Sequence, residues 1–437
     1  MRFWMILLAL CASMSAHAAL PIQHWVLANG AKVYFVENHD LPMLDVSVDF
    51  PAGTAAEPEP ASQGGVASLT RSLLSLGAGG LDDNQIARGL GDVGAVLGGR
   101  FDADRAGITL RTLSSPTERT VALEMLARMV QQPTFSDTVL AREKARVIAA
   151  LKQAELQPES LAARAFQQAV FGSHPYARRD SGEIASVSRL ASADLRAFYR
   201  SHYAAQGAVI ALIGDISRTD AERVAQQLTA ALPPASQAAN LAIPPVPVLP
   251  QAVTRTIPFP AKQSQVLIGQ PGVTRADPDY FALYVGNYVL GGGGFDSRLL
   301  DEVRQKRGLA YSAYSYFSPM RASGVFQMGL QTRVDQTQQA VQVVRDTLAE
   351  FVENGVSEAE LTQAKNNIVG GFPLRIDSNK KILEYLAVIG FYDLPLNYLD
   401  AFPARIEAVT AAQIQAAFKR HVHSDRMVTV IVGGGTQ

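Results

Sequence analysis

The chain has 437 residues, 48% hydrophobic and 18% charged, which provides an ordinary globular core and a length suited to about two to four domains. Its 39 Lys+Arg balance 40 Asp+Glu for a formal net charge of -1, so the basic excess that steers proteins onto nucleic acid or anionic lipid is absent. Low-complexity disorder is excluded by the same composition.

In chain order, Arg2 precedes an apolar run over 3–11, and Ala16-His17-Ala18 stands before Ala19. This pattern predicts a secretory leader over 1–18 and an exported mature chain, periplasmic if the source is a Gram-negative bacterium. Cys11 as a lipid acceptor is disfavoured by the bulky Leu10 before it. It is the only cysteine, so the mature chain has none to form a disulfide. No other stretch approaches the roughly eighteen uninterrupted apolar residues of a membrane span.

The first half, 19–232, reads as strands near 25–37 and 44–50, helices near 64–76 and 82–93, strands near 95–101 and 106–113, then three long helices between 116 and 171. The second half, 252–437, repeats this order. AFYRSH at 197–202 followed by GAVIALIGD at 207–215 recurs as AFKRHV at 417–422 followed by MVTVIVGG at 427–434. FPAG at 50–53 pairs with QPG at 270–272, and Tyr176 pairs with Tyr398. Similarity held at one long offset predicts two homologous α+β domains, each a mainly antiparallel sheet packed with helices. Between them, 233–251 is rich in proline and is expected to be a stiff, extended linker.

The densest signal is LGGGGFDSRLLDEVRQKRGLAYSAY at 290–314. Gly291, Gly292, Gly293 and Gly294 read as a flexible loop that something approaches closely. Phe295, Leu299, Leu300 and Val303 then fall at helical spacing, and Gly308 suits a left-handed C-cap. Alternation from Tyr311 onward is strand-like. Arg304 at the helix end and Tyr311 at the strand start could project a guanidinium and a phenol toward one point, where both donors would meet a carbonyl or an oxyanion. As a nucleotide-phosphate loop the glycines fail, because a helix precedes them and no Lys-Ser/Thr follows.

The helix at 64–80, GGVASLTRSLLSLGAGG, has Ser68, Arg71 and Ser72 on its polar face. Its setting resembles the pitrilysin-type, or inverzincin, zinc peptidases of the mitochondrial processing peptidase branch. In that family the same helix carries H-x-x-E-H, two zinc-binding histidines and a glutamate that activates water. Here Ser68, Arg71 and Ser72 hold those positions, and Ala149 stands where a later helix of the family supplies a third, glutamate ligand. The resemblance therefore implies a chain with no cofactor of its own. His24, His39, His174 and His202 are scattered and cannot rebuild a site, and His421 with His423 is read as a surface pair lacking a carboxylate partner.

The 290–314 segment matches the family's glycine-rich loop, helix and R-x6-Y pair, with Arg304 and Tyr311 in the two named positions. The resemblance implies a clamshell of two domains. Arg304 and Tyr311 would hold peptide at the zinc of a homologous partner subunit with intact H-x-x-E-H, and the glycines would touch substrate or partner. The peptide would lie extended, as an added strand on a sheet edge. The alternative is a non-enzymatic scaffold or peptide-binding protein of the same fold. An independent hydrolase using Ser68 or Ser72 has no histidine base to serve it.

Overall fold

A computed structural model describes residues 20–58, 63–233 and 242–435. The predicted leader over 1–18 lies outside the described residues. The first half begins with strands β1 (Gln23–Val26), β2 (Lys32–Glu37) and β3 (Met43–Phe50), followed by helix α1 (Val66–Leu73) and a small hairpin, β4 (Gly77–Ala78) with β5 (Leu81–Asp82). It continues through α2 (Asp83–Asp92), β6 (Val96–Gly98), β7 (Ala106–Leu113), α3 (Pro116–Gln131), α4 (Asp137–Ala154), α5 (Pro158–Phe171), α6 (Ile184–Arg189), α7 (Ser192–His202), β8 (Val209–Gly214) and α8 (Arg218–Thr229).

The second half runs β9 (Val253–Ile257), β10 (Gln263–Pro271), α9 (Tyr280–Asn287), the short α10 (Arg298–Leu300), β11 (Ala310–Ser318) and β12 (Val325–Arg333). Helices α11 (Thr337–Asn354), α12 (Glu358–Gly371), α13 (Asn379–Phe391), α14 (Tyr398–Glu407) and α15 (Ala411–His421) precede the last strand, β13 (Val428–Val432).

The duplication seen in the sequence is a duplication of topology. One sheet has the order β1-β2-β8-β3-β7-β6 and the other β9-β13-β10-β12-β11. In each, a single parallel pair, β2 with β8 and β9 with β13, sits in an otherwise antiparallel ladder. Strands β6 and β11 form equivalent outer edges.

Alternation along the strands assigns their faces. Val33, Phe35, Val46, Val48, Ile210 and Leu212 enter a core built with the first half's own helices. The opposite residues, Tyr34, Val36, Val209, Ala211 and Ile213, join a core containing Leu383, Leu386 and Ala387 of α13, which belongs to the second half. Helix α5 makes the reciprocal move, laying Phe166, Val170 and Phe171 on Leu267, Val428, Val430 and Val432 of the second sheet. Each sheet is thus covered on one face by a helix lent from the other half. Burying both faces of each sheet accounts for the near-continuous apolar runs of β8 and β13.

Polar contacts fasten the same seam. Asp104, 2% exposed, accepts hydrogen bonds from Tyr176 Oη at 2.5 Å, Tyr392 Oη at 2.9 Å and the Arg321 N–H at 2.8 Å. Burial and the adjacent Asp104 carboxylate raise the pKa values of both tyrosines well above the ordinary phenol range, so the hydroxyls remain donors. The linker is not a free spacer where it is described. Ile243, Val246 and Leu249 pack on the α5 core, and the Pro244 carbonyl lies 2.8 Å from His174 Nε2. Among the described residues no helix is long and apolar enough to cross a membrane.

Candidate functional site

Helix α1 is anchored at its first turn by the buried Glu57, whose Oε1 accepts from Gly65 N–H at 2.8 Å and Ala67 N–H at 3.1 Å. Burial pushes the Glu57 carboxyl up to about 7, against the opposing pull of those two amides. Ser68, Arg71 and Ser72 follow at helical spacing, all half-buried, and α4 packs beside α1 with Ala149 exposed. Ser68 Oγ only reaches back to the Gly65 carbonyl, at 3.3 Å.

Arg71 fills the site differently. Its Nε donates to the Gly107 carbonyl and its Nη2 to the Gly98 carbonyl, each at 3.1 Å. A guanidinium fixed between two strands, two hydroxyls and a methyl group offer no ligand set for a divalent cation, so these residues do not fit zinc. Arg71 also engages a carbonyl of β6, the outer strand on this side.

The second half presents the other candidate. Helix α9 does not end in a loose loop. It runs into a wide π turn in which the Gly293 N–H reaches the Tyr288 carbonyl at 2.8 Å. The expectation of a flexible glycine loop is corrected on this point. Gly291 is buried against β11, where a Cβ would stand 2.5 Å from Ser315 N and 2.4 Å from Ser315 Oγ, so the glycine permits close helix–strand approach. Gly292 and Gly294 are exposed and Gly293 half-buried, and only these three could touch a ligand or partner. Asn287 bonds Ser315 on both sides, donating to its carbonyl at 3.0 Å and accepting from its Oγ at 2.7 Å. As at β6, an outer-strand carbonyl is already held by a side chain from the covering helix, so strand addition at either point meets an occupied acceptor.

The helical segment 298–305 is clamped by Arg298, which forms a bidentate pair with Glu360 at 2.6 and 2.7 Å and holds that carboxyl down to about 2. The second part of this segment, Asp301–Gln305, is another π turn, and the chain turns away at Gly308 with a φ of 61°, the predicted left-handed cap. Leu309 N–H closes on the Val303 carbonyl at 2.8 Å. Beyond, the ladder between β11 and β12 slips between Ala310 and Ala313, a bulge that turns Tyr311 outward.

Arg304 and Tyr311 line one cleft of about 270 Å³, together with Gln263, Gln331, Arg333 and Gln336. Tyr311 is 84% exposed. Phe295, read from its spacing as part of the helix, precedes it in a short turn and is 71% exposed. The Arg304 guanidinium lies 5.2 Å from its ring centroid. Sequence reasoning missed the three glutamines and this use of Phe295, because only the folded sheet brings 263, 331 and 336 alongside 304.

A further correction concerns His421. It does not lack a carboxylate, since Asp279 Oδ2 lies 2.9 Å and Asp277 Oδ1 3.7 Å from its Nε2. These three form the one group of at least three suitable ligands found among the described residues. Arg420 pairs with the same Asp279 oxygen and already supplies a cation there.

Comparisons with known proteins identify the family. The family model for insulinase, peptidase family M16, matches residues 32–180, and the one for the peptidase M16 inactive domain matches residues 189–368. A crystal structure of a peptidase M16 inactive domain from Pseudomonas fluorescens is 40% identical, covers 96% of this chain and 99% of its own, and superposes with a TM-score of 0.90. The chain belongs to peptidase family M16. A "non-peptidase homolog", YmxG of Helicobacter pylori, is 26% identical over 99% of this chain and 98% of its own. An uncharacterized zinc protease of Streptomyces coelicolor is 27% identical over 69% of this chain, which spans 66% of that relative's length. The matches to the inactive-domain model and the inactive-domain structure support a non-catalytic, pitrilysin-type member of the family.

Proposed function

We propose that the chain is the zinc-free subunit of an exported two-chain metallopeptidase, binding peptide at Arg304 and Tyr311 for cleavage at the zinc of a homologous partner. The observation that carries this reading is the pairing of unequal sites. Half-buried Arg304 and exposed Tyr311 line one cleft, while Ser68, Arg71, Ser72 and Ala149 offer no ligand set for a metal. In the assembled pair the guanidinium and phenol would orient the peptide carbonyl and stabilise charge developing on it. All metal chemistry belongs to the partner.

A second reading, a scaffold or peptide-binding protein with no peptidase partner, draws on Arg71, which engages the Gly98 carbonyl on an outer strand that extended substrate would otherwise use. Co-expression with an exported homologue carrying H-x-x-E-H separates the two. Co-purification with zinc in the partner alone and peptide cleavage by the pair supports the first reading. Stable purification of this chain by itself, with no gain in the homologue's activity on mixing, supports the second. Stoichiometric zinc in this chain alone contradicts both.

A further inference from the structure

The cleft between the turn holding Arg304 and strand β12 carries a more specific signal in its charges. No carboxylate lines it. Around it the cations are paired: Lys306 and Arg307 with Glu302, and Arg333 with Asp335. Arg304 stands apart. Among the described residues its guanidinium has no carboxylate or carbonyl acceptor and is steadied only by the ring of Phe295. Its neighbour Tyr311 offers a second free donor. The Oε1 of Gln336, in the same cleft, is buried and receives no donor.

A neutral backbone carbonyl would satisfy one donor and leave a half-buried guanidinium without a counter-charge. A carboxylate satisfies the guanidinium through two parallel, charge-assisted bonds, each roughly twice as strong as a neutral one. An adjoining backbone N–H would answer the orphaned amide oxygen. The end of a polypeptide joins a carboxylate to a nearby N–H in this way.

We infer that the cleft binds the free C-terminal carboxylate of a peptide, with Arg304 as its bidentate partner, Tyr311 as a second donor and Gln336 accepting from the terminal backbone. The assignment rests on the reading of this cleft as a peptide site and makes the product chain end its ligand, because hydrolysis turns the carbonyl that Arg304 and Tyr311 orient into that terminal carboxylate.

The test uses the full chain and two pools of short, random-sequence peptides labelled at the N-terminus, identical except for a C-terminal carboxylate or carboxamide, read by fluorescence anisotropy. The acid pool should bind about tenfold more tightly or better. Arg304→Ala should bring it to the level of the amide pool, and Tyr311→Phe, which removes only a hydroxyl from an exposed ring, should weaken it several-fold. Equal affinity for both pools, weakened alike by Arg304→Ala, overturns the carboxylate assignment but leaves a peptide site. An acid preference that survives Arg304→Ala also overturns it, by placing the carboxylate elsewhere. Failure of both pools to bind the wild-type chain overturns the assignment and the peptide-site reading together.

Discussion

Replacing Asp104 by alanine tests how the two halves are held together. Its carboxylate accepts three donors, Tyr176 Oη, Tyr392 Oη and Arg321 N–H, the last two from the opposite half. Removal leaves these donors without an acceptor in a site where Asp104 and Tyr176 are 2% and 1% exposed. At about 1–2 kcal/mol for each orphaned donor, Asp104→Ala should cost about 3–6 kcal/mol, a large fraction of ordinary domain stability. Further removal of both hydroxyls, in Asp104→Ala/Tyr176→Phe/Tyr392→Phe, should recover part of the loss, because the penalty lies in unpaired polar groups rather than in missing bonds. Urea unfolding followed by far-UV circular dichroism measures both effects. Because α5 and α13 are exchanged between the halves, a single transition is expected in every variant. A loss below about 1 kcal/mol, or two separable transitions in the wild type, refutes the reasoning.

Three further outcomes follow from the sites. Glu57 keeps its proton to about 7 in the folded chain against 4.5 ordinarily, so unfolding releases a proton between those values. Stability should therefore fall as pH rises through that window, by ~3 kcal/mol relative to Glu57→Gln, and parallel pH profiles of the two proteins in urea would contradict this. Arg71→Ala removes the bonds to Gly98 O and Gly107 O, and amide exchange in and around β6 should quicken by roughly tenfold or more while α7 stays protected. The combined substitution Ser68→His, Arg71→Glu, Ser72→His and Ala149→Glu should create stoichiometric zinc binding by metal analysis, and a variant that folds without taking zinc would show that α1 and α4 do not align as the family's metal helices do.

Much of the fold was legible because its cues are local. A period-two run located β3, an apolar run β8, and Asp82 with Gln85, Ser357 with Glu360 and Thr410 with Gln413 form capping boxes where helices begin. The helix exchange was not legible. An apolar stripe on α5 or α13 declares that a face is buried without saying whose sheet buries it. The glycine run was misread because composition alone does not distinguish a loop from a helix pressed against Ser315. Likewise 142 residues separate His421 from Asp279, beyond any spacing rule. That Arg304 and Tyr311 line one cleft was legible because a helix cap and a strand start fall within one short segment. The glutamines beside them come from strands and turns whose proximity only the sheet register creates.

The most direct measurement is peptide turnover by this chain reconstituted with a homologous subunit carrying an intact H-x-x-E-H motif, comparing the wild type with Arg304→Ala and Tyr311→Phe. If these residues hold substrate at the partner's zinc, each substitution should lower turnover about ten- to a thousandfold with the pair still assembled. Unchanged turnover in both would contradict the role assigned to the cleft.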